Sequence, residues 1–374
     1  MPQLSAKIRW MNTTPSKMAG IHTTIVGSID DFLALNSDWD ALIERSERGC
    51  IFARWDWIRV WLEVFCAPDQ PLAIICVWRG KSLIGIAPFW IQTIKKFGAP
   101  LRILRFLGTG EEEADEVLPE YLDVFCQDRD KTDVGPAVSS AIRDSLGWDI
   151  ASFAHVLPGS VIESMLSNEP DVLRPPTSTA IGARYRLQWE AGELPSMPAA
   201  VAYKRRKLER TGKVAYQCVQ DSAHLESAFE VLADLHAHRW ESRGASGVFA
   251  SKRFSRFHRR LAEVWGPEHR VRLHILRVDG TPVSALYNFE WRGTEYFYQG
   301  GLNTQLKGQS PGIVSHAYAI ENAAKNGATA YDFLGGELPS YKAVFGAQPE
   351  PLATWTLENR TWRGRLARML IRKN

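Results

Sequence analysis

The sequence predicts a mixed α/β protein made of two related halves, each with a sheet and flanking helices. Three observations support this prediction. Both halves follow the order strand, helix, helix, β-hairpin, strand, helix, strand, judged from the period of their apolar residues. Glycine-containing turns separate the two strands of each predicted hairpin. The chain has 374 residues, 45% hydrophobic and 23% charged, which is enough to bury the cores of two domains.

The first half is predicted to open with a strand and two helices, because its apolar residues recur at helical spacing after the first strand. The helix Arg54–Phe65 carries Trp57, Trp61 and Phe65 on one face. The predicted elements are strand Thr23–Val26, helices Asp30–Glu44 and Arg54–Phe65, hairpin strands Leu72–Trp78 and Leu83–Ile91, strands Leu101–Leu107 and Tyr121–Phe125, helix Lys131–Leu146, strand Asp149–Phe153, and a helix from Ser160.

The second half repeats this order with little identity of sequence. Its predicted elements are strand Val214–Val219, helices His224–Arg239 and Phe254–Trp265, hairpin strands Arg272–Val278 and Val283–Trp291, strand Thr294–Gly301, helix Pro311–Asn326, and strand Ala328–Leu334. Gly327 suits the left-handed position that follows a helix end. The polar, proline-rich stretch Pro170–Thr179 is the predicted seam between the halves.

These patterns predict four segments of the chain. Residues 1–20 are expected to be a disordered lead-in, 21–175 the N-terminal domain, 176–359 the C-terminal domain, and 360–374 a basic tail. The tail has a short apolar stripe among arginines, so weak contact with an anionic membrane surface is one interpretation, and docking on the protein or fraying is the other.

Composition excludes several classes of function. The net charge of +3 does not require a nucleic-acid partner, and the five scattered cysteines predict reduced core residues in a cytoplasmic protein. The start has no apolar run long enough for a signal peptide, and no stretch reaches the ~20 apolar residues that span a bilayer. Walker, zinc-helix, nucleophile-elbow and Rossmann motifs are absent, so neither metal nor nicotinamide chemistry is expected.

The segment from Arg270 to Phe345 carries the clearest chemical signal. Ser310 is placed to cap a helix, Pro311 suits its first turn, and Gly312 permits close approach of a ligand. Free amides and the positive dipole end at such a junction are suited to a pyrophosphate, which points to a phosphate-bearing acyl donor. The alternative is an ordinary helix start without a ligand.

Several motifs of the chain resemble those of the GNAT-like acyltransferases. The resemblance covers roughly residues 24 to 350. More narrowly, the motifs resemble those of the subfamily associated with cellulose biosynthesis. This subfamily is related to the Fem peptidyltransferases, which have two tandem GNAT folds. The motifs are Phe52–Trp57, Ile84–Pro88, Leu235–Trp240, Leu276–Ala285, Tyr298–Asn303, Ser310–Gly312, Tyr331–Glu337 and Tyr341-Lys342. The loop Gln305–Gly312 departs from the usual GNAT spacing Arg/Gln-x-x-Gly-x-Gly/Ala and has the Ser-Pro-Gly form common in this subfamily.

The resemblance implies two tandem GNAT-like domains and transfer of an acyl group from a thioester to an amine or hydroxyl. The donor would be acyl-CoA (acetyl-CoA or longer) or acyl carrier protein, and the acceptor a small molecule or glycan in polysaccharide or cell-envelope biosynthesis. Gln309, Ser310, Pro311 and Gly312 would bind the donor phosphates. No metal is implied. The alternatives are an aminoacyl-tRNA-dependent peptidyltransferase and a non-catalytic scaffold in polysaccharide assembly.

The candidate catalytic groups are four residues that lie on or just after the last predicted strand of this segment. Glu337 is predicted as the base or acceptor-positioning residue, Tyr341 as the acid that protonates the departing thiolate, and Lys342 as the cation that orients the carboxylate. Asp332 completes the cluster. The structural alternative is a buried ion pair between Asp332 and Lys342.

Two further clusters leave function and structure open. His236, His238, Arg239 and Trp240 form one, where a histidine is a possible general base and Arg239 a contact to the acceptor or a helix cap. Two histidines at i and i+2 point to different faces of a helix, so at least one of them is interpreted as a core or surface residue. The basic segment Tyr203–Arg210 is either a solvated helix face or a contact to phosphates of CoA, of a pantetheine arm or of tRNA. It lacks interleaved aromatic residues, which ranks tRNA lower. The acidic run Glu111–Glu113 is interpreted as a solvated loop.

Overall fold

The computed structural model divides into two compact units, each with sheet and helices of its own. The structure describes residues 14–15, 20–96, 98–167, 177–242, 244–359 and 364. Unit 1 comprises residues up to Gly110, Val117–Ile181 and the described residues from Leu352, whereas unit 2 comprises Glu111–Glu116 and Gly182–Pro351. Most of the predicted lead-in and of the basic tail lies outside the described residues. The domain boundaries at residues 175 and 359 stay a prediction.

Unit 1 follows the predicted order of elements. They are β1 (Thr14–Pro15), β2 (Ile21–Val26), α1 (Ile29–Leu33), α2 (Asn36–Arg45), α3 (Trp55–Phe65), β3 (Ile74–Arg79), β4 (Ser82–Ala87), β5 (Phe89–Lys96), β6 (Ala99–Phe106), β7 (Phe125–Cys126), α4 (Lys131–Ser145), β8 (Ile150–Val156) and α5 (Val161–Ser167). Strands β1-β2-β3-β4-β7 form an antiparallel sheet in that spatial order.

Three predictions in unit 1 are corrected by the structure. The predicted helix Asp30–Glu44 is two helices, α1 and α2, with Phe32 packed against the rings of Trp39 and Trp55 at centroid distances of 5.4 and 5.6 Å. The predicted strand Leu83–Ile91 is divided at Pro88 into β4 and β5, which lie in different sheets. Proline lacks the amide that a continuous ladder needs.

The third correction concerns the predicted strand Tyr121–Phe125. Only its last residue is in a strand, β7. Tyr121 has a φ of 66°, in the left-handed region that an extended strand cannot use. A local backbone reversal therefore replaces most of the predicted strand.

Unit 2 holds the elements of the second half and adds a strand that the sequence did not predict, β9. The elements are β9 (Thr177–Gln188), α6 (Ala199–Glu209), β10 (Val214–Val219), α7 (Ser222–Glu241), α8 (Lys252–Trp265), β11 (Val271–Val278), β12 (Thr281–Trp291), β13 (Thr294–Leu302), α9 (Pro311–Lys325), β14 (Ala330–Gly336) and β15 (Gln348–Glu358). The residues of β9 from Gly182 onward belong to unit 2. The confirmed stop at Gly327 has a φ of 85°.

The sheet of unit 2 has the strand order β10-β11-β12-β13-β14-β9. All neighbours are antiparallel except β13 and β14, which are parallel. Strand β15 was also not predicted, and its residues from Leu352 belong to unit 1, where they pair with β8 in the order β15-β8-β6-β5. None of the helices in the described part of the chain is long and apolar enough to cross a bilayer.

Helices cover both faces of the unit 2 sheet. Leu286 belongs to the buried cluster that includes Ala317 and Ile320 of α9. Its neighbour Tyr287 contacts the ring of Phe229 on α7 at 4.9 Å. Side chains alternate between the two faces of a strand. Helices α7 and α8 therefore lie on one face, and α9 with α6 on the other.

Candidate functional site

The candidate site lies where β13 and β14 diverge. The two strands pair over three residues, Thr294–Tyr296 with Ala330–Asp332, although β13 continues to Leu302 and β14 to Gly336. Neighbouring parallel strands normally form an evenly spaced ladder of backbone hydrogen bonds. Beyond position 296 the described residues of the two strands form no ladder with each other. We call this opening the strand gap.

Helix α9 begins at Pro311, as predicted, but Ser310 does not cap it. Ser310 has left-handed dihedral angles, φ 55° and ψ 47°, and its side chain makes no capping hydrogen bond. Its carbonyl oxygen accepts hydrogen bonds from the amides of Ile313 and Val314 at 3.1 and 3.3 Å. A Cβ at Gly312 would contact only Leu302, at 3.6 Å, so packing within the protein does not require glycine there. Amides in the first turn carry the positive end of the helix dipole.

Two lysines of α6 lie against the loop that precedes α9. Lys204 Nζ donates to Ser310 Oγ at 3.2 Å, and Lys207 Nζ donates to the carbonyl oxygen of Gly308 at 2.9 Å. Gln309, which is half-buried, lies in the same loop. The basic segment and the Ser-Pro-Gly segment, which the sequence suggested separately, are thus adjacent. Ammonium groups beside a helix N-terminus are well suited to bind phosphate.

Arg205 fixes α6 on α9. Its Nη1 and Nη2 atoms donate to the two carboxylate oxygens of Glu321 at 2.7 and 3.2 Å, and its guanidinium lies 3.9 Å from the ring centroid of Tyr318. A bidentate pair combined with stacking restrains both position and orientation. This anchor holds Lys204 and Lys207 beside the start of α9.

Tyr341 and His316 form a hydrogen-bonded pair. The Tyr341 hydroxyl lies 3.2 Å from His316 Nε2, while 46% of the Tyr341 surface is exposed. Burial raises the pKa of Tyr341 to about 12, against an opposing effect of Arg239. Burial, followed by the charges of Lys342 and other cations, lowers the pKa of His316 well below its usual range. Tyr341 is therefore a neutral phenol, and His316 a neutral imidazole, near pH 7.

Asp332 and Lys342 are both buried, and each has partners in the backbone or in β9. Asp332 accepts hydrogen bonds from Arg184 Nε at 2.7 Å and from the amide of Leu334 at 2.8 Å, and its Oδ2 lies 2.6 Å from Arg184 Nη2. Lys342 Nζ donates to the carbonyl oxygens of Phe333, Leu334 and Gly335 along β14. Their contacts indicate that both side chains hold the bent end of β14 in place.

Glu337 stands apart from this buried group. Its side chain is exposed, and its carboxylate forms no hydrogen bond or ion pair with a residue that the structure describes. The predicted orientation of Glu337 by Lys342 is therefore not seen, because the ammonium group is directed at the backbone of β14. This carboxylate is exposed and lies four residues before Tyr341 in the sequence.

A line of buried polar side chains continues from His316 across the sheet. His316 Nδ1 lies 3.0 Å from the Tyr331 hydroxyl, and Asn288 Nδ2 lies 3.1 Å from the same hydroxyl and 2.6 Å from Glu295 Oε1. We call the group the buried polar row; its members are Arg272, His274, Asn288, Glu295, Tyr331 and His316, all less than 9% exposed. Register explains the row, because Arg272 lies opposite Asn288, and Glu295 opposite Tyr331.

The histidine cluster of α7 is divided by the structure. His236 is buried, accepts a hydrogen bond from Trp240 Nε1 at 2.9 Å, and has its pKa lowered to about 4, first by burial and then by Arg239. His238 Nδ1 contacts the carbonyl of its own helix at Asp234, at 2.6 Å. Arg239 Nη1 donates to the carbonyl of Gly300 on β13 at 3.4 Å, which places this guanidinium at the strand gap.

The sequence reasoning missed His316 and the buried polar row. A signal was present, since His274, Asn288 and Glu295 are polar residues within strands that are otherwise strongly apolar. Buried polar groups in such strands need partners. Their partners, however, lie on neighbouring strands and on α9, so the pattern within one strand does not identify them.

Comparison with known proteins identifies the type of domain. Residues 196–343 match the model of the acetyltransferase (GNAT) domain called Acetyltransf_6. No curated protein shows significant sequence similarity to the chain.

Solved structures with this fold cover most of the chain. FemX has 13% identity over 85% of this chain and 95% of its own, with a TM-score of 0.56. The C-terminal domain of a putative lysylphosphatidylglycerol synthetase from Agrobacterium fabrum has 11% identity over 91% and 95%, with a TM-score of 0.52. L-PGS from Bacillus licheniformis has 10% identity over 90% and 95%, also with a TM-score of 0.52. These likenesses concern the fold alone.

The predicted fold class, a mixed α/β protein with two tandem GNAT-like domains, is confirmed. The segment 196–343 contains the start of α9, Tyr341 and the strand gap described above. The chain thus carries a GNAT acetyltransferase domain at residues 196–343, and the protein is an acyltransferase enzyme.

Proposed function

We propose that the protein transfers an acyl group from acyl-CoA, acetyl-CoA or longer, to an amine or hydroxyl acceptor at the strand gap. One observation carries the proposal. Lys204 and Lys207 of α6 lie beside the N-terminus of α9, and His316, further along α9, is hydrogen-bonded to Tyr341. Six residues separate Ser310 from His316, about 9 Å along a helix axis. A donor with phosphates at one end and a thioester at the other suits this layout.

The donor phosphates would be bound at the start of α9. Lys204, Lys207 and the first-turn amides provide positive charge there, and Gln309 to Gly312 provide the backbone. The two lysines form their described hydrogen bonds with a hydroxyl and a carbonyl oxygen, which a phosphate can outcompete as an acceptor. The site residues therefore fit a pyrophosphate or a phosphopantetheine arm.

The acyl group would be transferred directly to the acceptor. The acceptor nitrogen or oxygen attacks the thioester carbonyl, the C–S bond breaks, and Tyr341 gives its hydroxyl proton to the departing sulfur. Glu337, an exposed residue four positions before Tyr341, takes the proton that the acceptor loses. Amides on the edge of β13 that faces away from β12, beyond its last pair with β14, would stabilise the oxyanion. Arg239 adds positive charge at the same place.

Calorimetric titration with acetyl-CoA, long-chain acyl-CoA and acyl carrier protein tests the donor. At least one donor is expected to bind, and Lys204→Ala with Lys207→Ala to weaken it about tenfold, roughly 1.4 kcal/mol. Arg206→Ala is the matched control, because this exposed residue is on the same helix without a described contact to the loop. Absence of binding by all three donors would contradict the proposal.

Turnover assays test the catalytic roles. Tyr341→Phe and Glu337→Gln are each expected to lower kcat about 10²-fold or more, with little change in donor affinity. Both residues are exposed enough to be replaced without disturbing the core. A kcat within a factor of two of wild type for either variant would remove that residue from the proposed mechanism.

A second candidate function, transfer from an aminoacyl-tRNA, is favoured by the charge of α6. Three basic side chains on or just after this helix are exposed, those of Arg206, Lys207 and Arg210. Of their contacts to the loop before α9, the one described is that of Lys207 with Gly308. The solved structures of FemX and L-PGS show that the fold also occurs in proteins with those names. Salt-sensitive tRNA binding that the double lysine variant abolishes, without thioester binding, would support this function. Binding of neither ligand would support a scaffold in polysaccharide or cell-envelope assembly.

A further inference from the structure

Some groups in the buried polar row can only donate or only accept hydrogen bonds. The donor and the acceptor of each hydrogen bond along the row can therefore be assigned. The row begins at Glu295, which is fully buried. Arg272 Nη1 lies 2.9 Å from Glu295 Oε2, and His274 Nε2 lies 2.7 Å from Oε1. Two cationic neighbours keep Glu295 ionised, and the pKa of this carboxyl is lowered although burial opposes it. An ionised carboxylate accepts hydrogen bonds and donates none.

Asn288 is the next residue in the row, and its amide nitrogen contacts two oxygens. Asn288 Nδ2 donates to Glu295 Oε1 at 2.6 Å and to the Tyr331 hydroxyl oxygen at 3.1 Å. A flipped amide would set its carbonyl oxygen against the carboxylate, which is repulsive. The amide group has two hydrogens, one for each oxygen. Tyr331 therefore receives a hydrogen bond from Asn288.

Tyr331 in turn decides which nitrogen of His316 carries the proton. Since the Tyr331 oxygen accepts from Asn288, its own hydrogen is directed to the remaining contact, His316 Nδ1 at 3.0 Å. A neutral imidazole has one N–H group. Because Nδ1 accepts, the hydrogen is on Nε2, the atom that faces the Tyr341 hydroxyl at 3.2 Å. His316 therefore donates to the oxygen of Tyr341.

The hydroxyl hydrogen of Tyr341 is left without an acceptor in this arrangement. Its one described side-chain hydrogen bond is the one to His316, in which the Tyr341 oxygen accepts. We propose that the buried polar row fixes the Nε2–H tautomer of His316 and thereby aims the hydroxyl hydrogen of Tyr341 at the bound substrate. His316, Tyr331 and Asn288 are then positioning residues for Tyr341. The proposal rests on the acid role of Tyr341 in the proposed function.

The row also stabilises the oxygen of Tyr341 after it loses its proton. When Tyr341 gives its proton to the sulfur, the phenolate oxygen remains hydrogen-bonded to the Nε2–H of His316. This N–H stabilises the phenolate until a proton from solvent or from the acceptor restores the hydroxyl. No proton leaves the buried row, so its charges are unchanged over the cycle.

Tyr331→Phe tests the proposal with Tyr287→Phe as its matched control. Tyr287 is equally buried, and its hydroxyl contacts His258 Nδ1 at 3.3 Å on the opposite face of the same sheet. Each substitution removes one buried tyrosine–histidine hydrogen bond and keeps the ring; Tyr331→Phe also removes the acceptor of the Asn288 amide. We expect Tyr331→Phe to lower kcat about tenfold at unchanged donor KM, and Tyr287→Phe to leave kcat unchanged.

A double-mutant comparison separates positioning from a general loss of structure. In the Tyr341→Phe background, Tyr331→Phe is expected to have no further effect on kcat, because the oxygen that His316 orients is gone. An equal loss of kcat in both backgrounds would overturn the proposal. So would a kcat for Tyr331→Phe that matches the Tyr287→Phe control.

The tautomer itself can be measured without any turnover. Long-range ¹H–¹⁵N correlation spectra of the histidine rings, with His316 assigned by the His316→Gln variant, report which nitrogen carries hydrogen. We expect Nε2–H in the wild-type protein and a mixture of tautomers in Tyr331→Phe. An Nδ1–H tautomer in the wild type would overturn the proposal. If no donor is ever turned over, the proposed function fails while the tautomer result still stands or falls by itself.

Discussion

The charge on His274 makes the stability of the protein depend on pH in a window that can be calculated. His274 is fully buried beside Glu295, at 2.7 Å. Burial works against its charged form, but the Glu295 carboxylate outweighs burial and raises the pKa to about 9, from 6.5. A raised pKa means that the folded state binds the proton more tightly than the unfolded state. Its contribution is therefore full below pH 6.5 and is lost as the pH rises through 9.

The magnitude follows from linkage. A shift from 6.5 to 9 at about 1.4 kcal/mol per pKa unit gives a contribution of about 3 kcal/mol at pH 6.5, of which about 2 kcal/mol is lost by pH 8.5. Above that pH, the buried thiols of Cys76 and Cys126, whose pKa burial raises to about 12, add a second loss. Histidines whose pKa is lowered on folding, among them His236, His258 and His316, titrate in the unfolded state over the same window and make stability rise with pH. The difference between the wild type and His274→Gln therefore isolates His274 in the window from pH 6.5 to about 8.5.

Urea denaturation at several pH values within this window is the assay. The free energy of unfolding of the wild type, relative to that of His274→Gln at each pH, is expected to fall by about 2 kcal/mol across the window. His258→Gln is the control: the pKa of His258 is lowered well below its usual range, so this substitution should make the fall steeper instead of removing it. Equal slopes for the wild type and His274→Gln would refute the assignment of a charged His274.

Three further substitutions test the packing around the site. Gly301→Ala is expected to destabilise the protein by about 2 kcal/mol in thermal melts, because its Cβ would lie 2.6 Å from Cβ of Leu235 on α7. Gly308→Ala is the control: open space surrounds this position, so the change in stability should be less than about 0.5 kcal/mol. Asp332→Asn should lower the free energy of unfolding in urea by about 3 kcal/mol, because it weakens a buried ion pair with Arg184. Glu350→Gln, which weakens the exposed ion pair of the same arginine, should lower it by less than about 1 kcal/mol. Equal losses for the two variants would contradict this reasoning. Lys342→Met should cost about 2 kcal/mol by leaving buried carbonyls of β14 unsatisfied, and a neutral result would show that other donors replace the ammonium group.

Much of the fold could be predicted from local pattern. Apolar residues at helical spacing identified α7, α8 and α9 within a few residues, and Gly327 ended α9 as expected. The hairpin β11–β12 followed from alternation and from its Asp-Gly turn. Each of these features depends on a short stretch of chain, so the local sequence pattern is enough to predict it.

The strands that the sequence missed are those whose environment is decided by distant partners. Strand β9 pairs with β14, which lies more than a hundred residues later. Arg184 and Arg186 alternate in β9 like solvent-facing residues, yet Arg184 pairs with the buried Asp332. A charged residue on a strand indicates exposure unless its partner is known.

The candidate site shows the same division between local and tertiary causes. Local sequence was enough to predict that a helix starts at Pro311, that lysines lie on the helix now called α6, and that Tyr341 follows the strand now called β14. Only the tertiary structure placed Lys204 beside Ser310 and joined Tyr341 to His316. The physical reason is that hydrogen-bond partners are set by the register of neighbouring strands and the docking of helices on them, and neither is recorded in the period of a single segment.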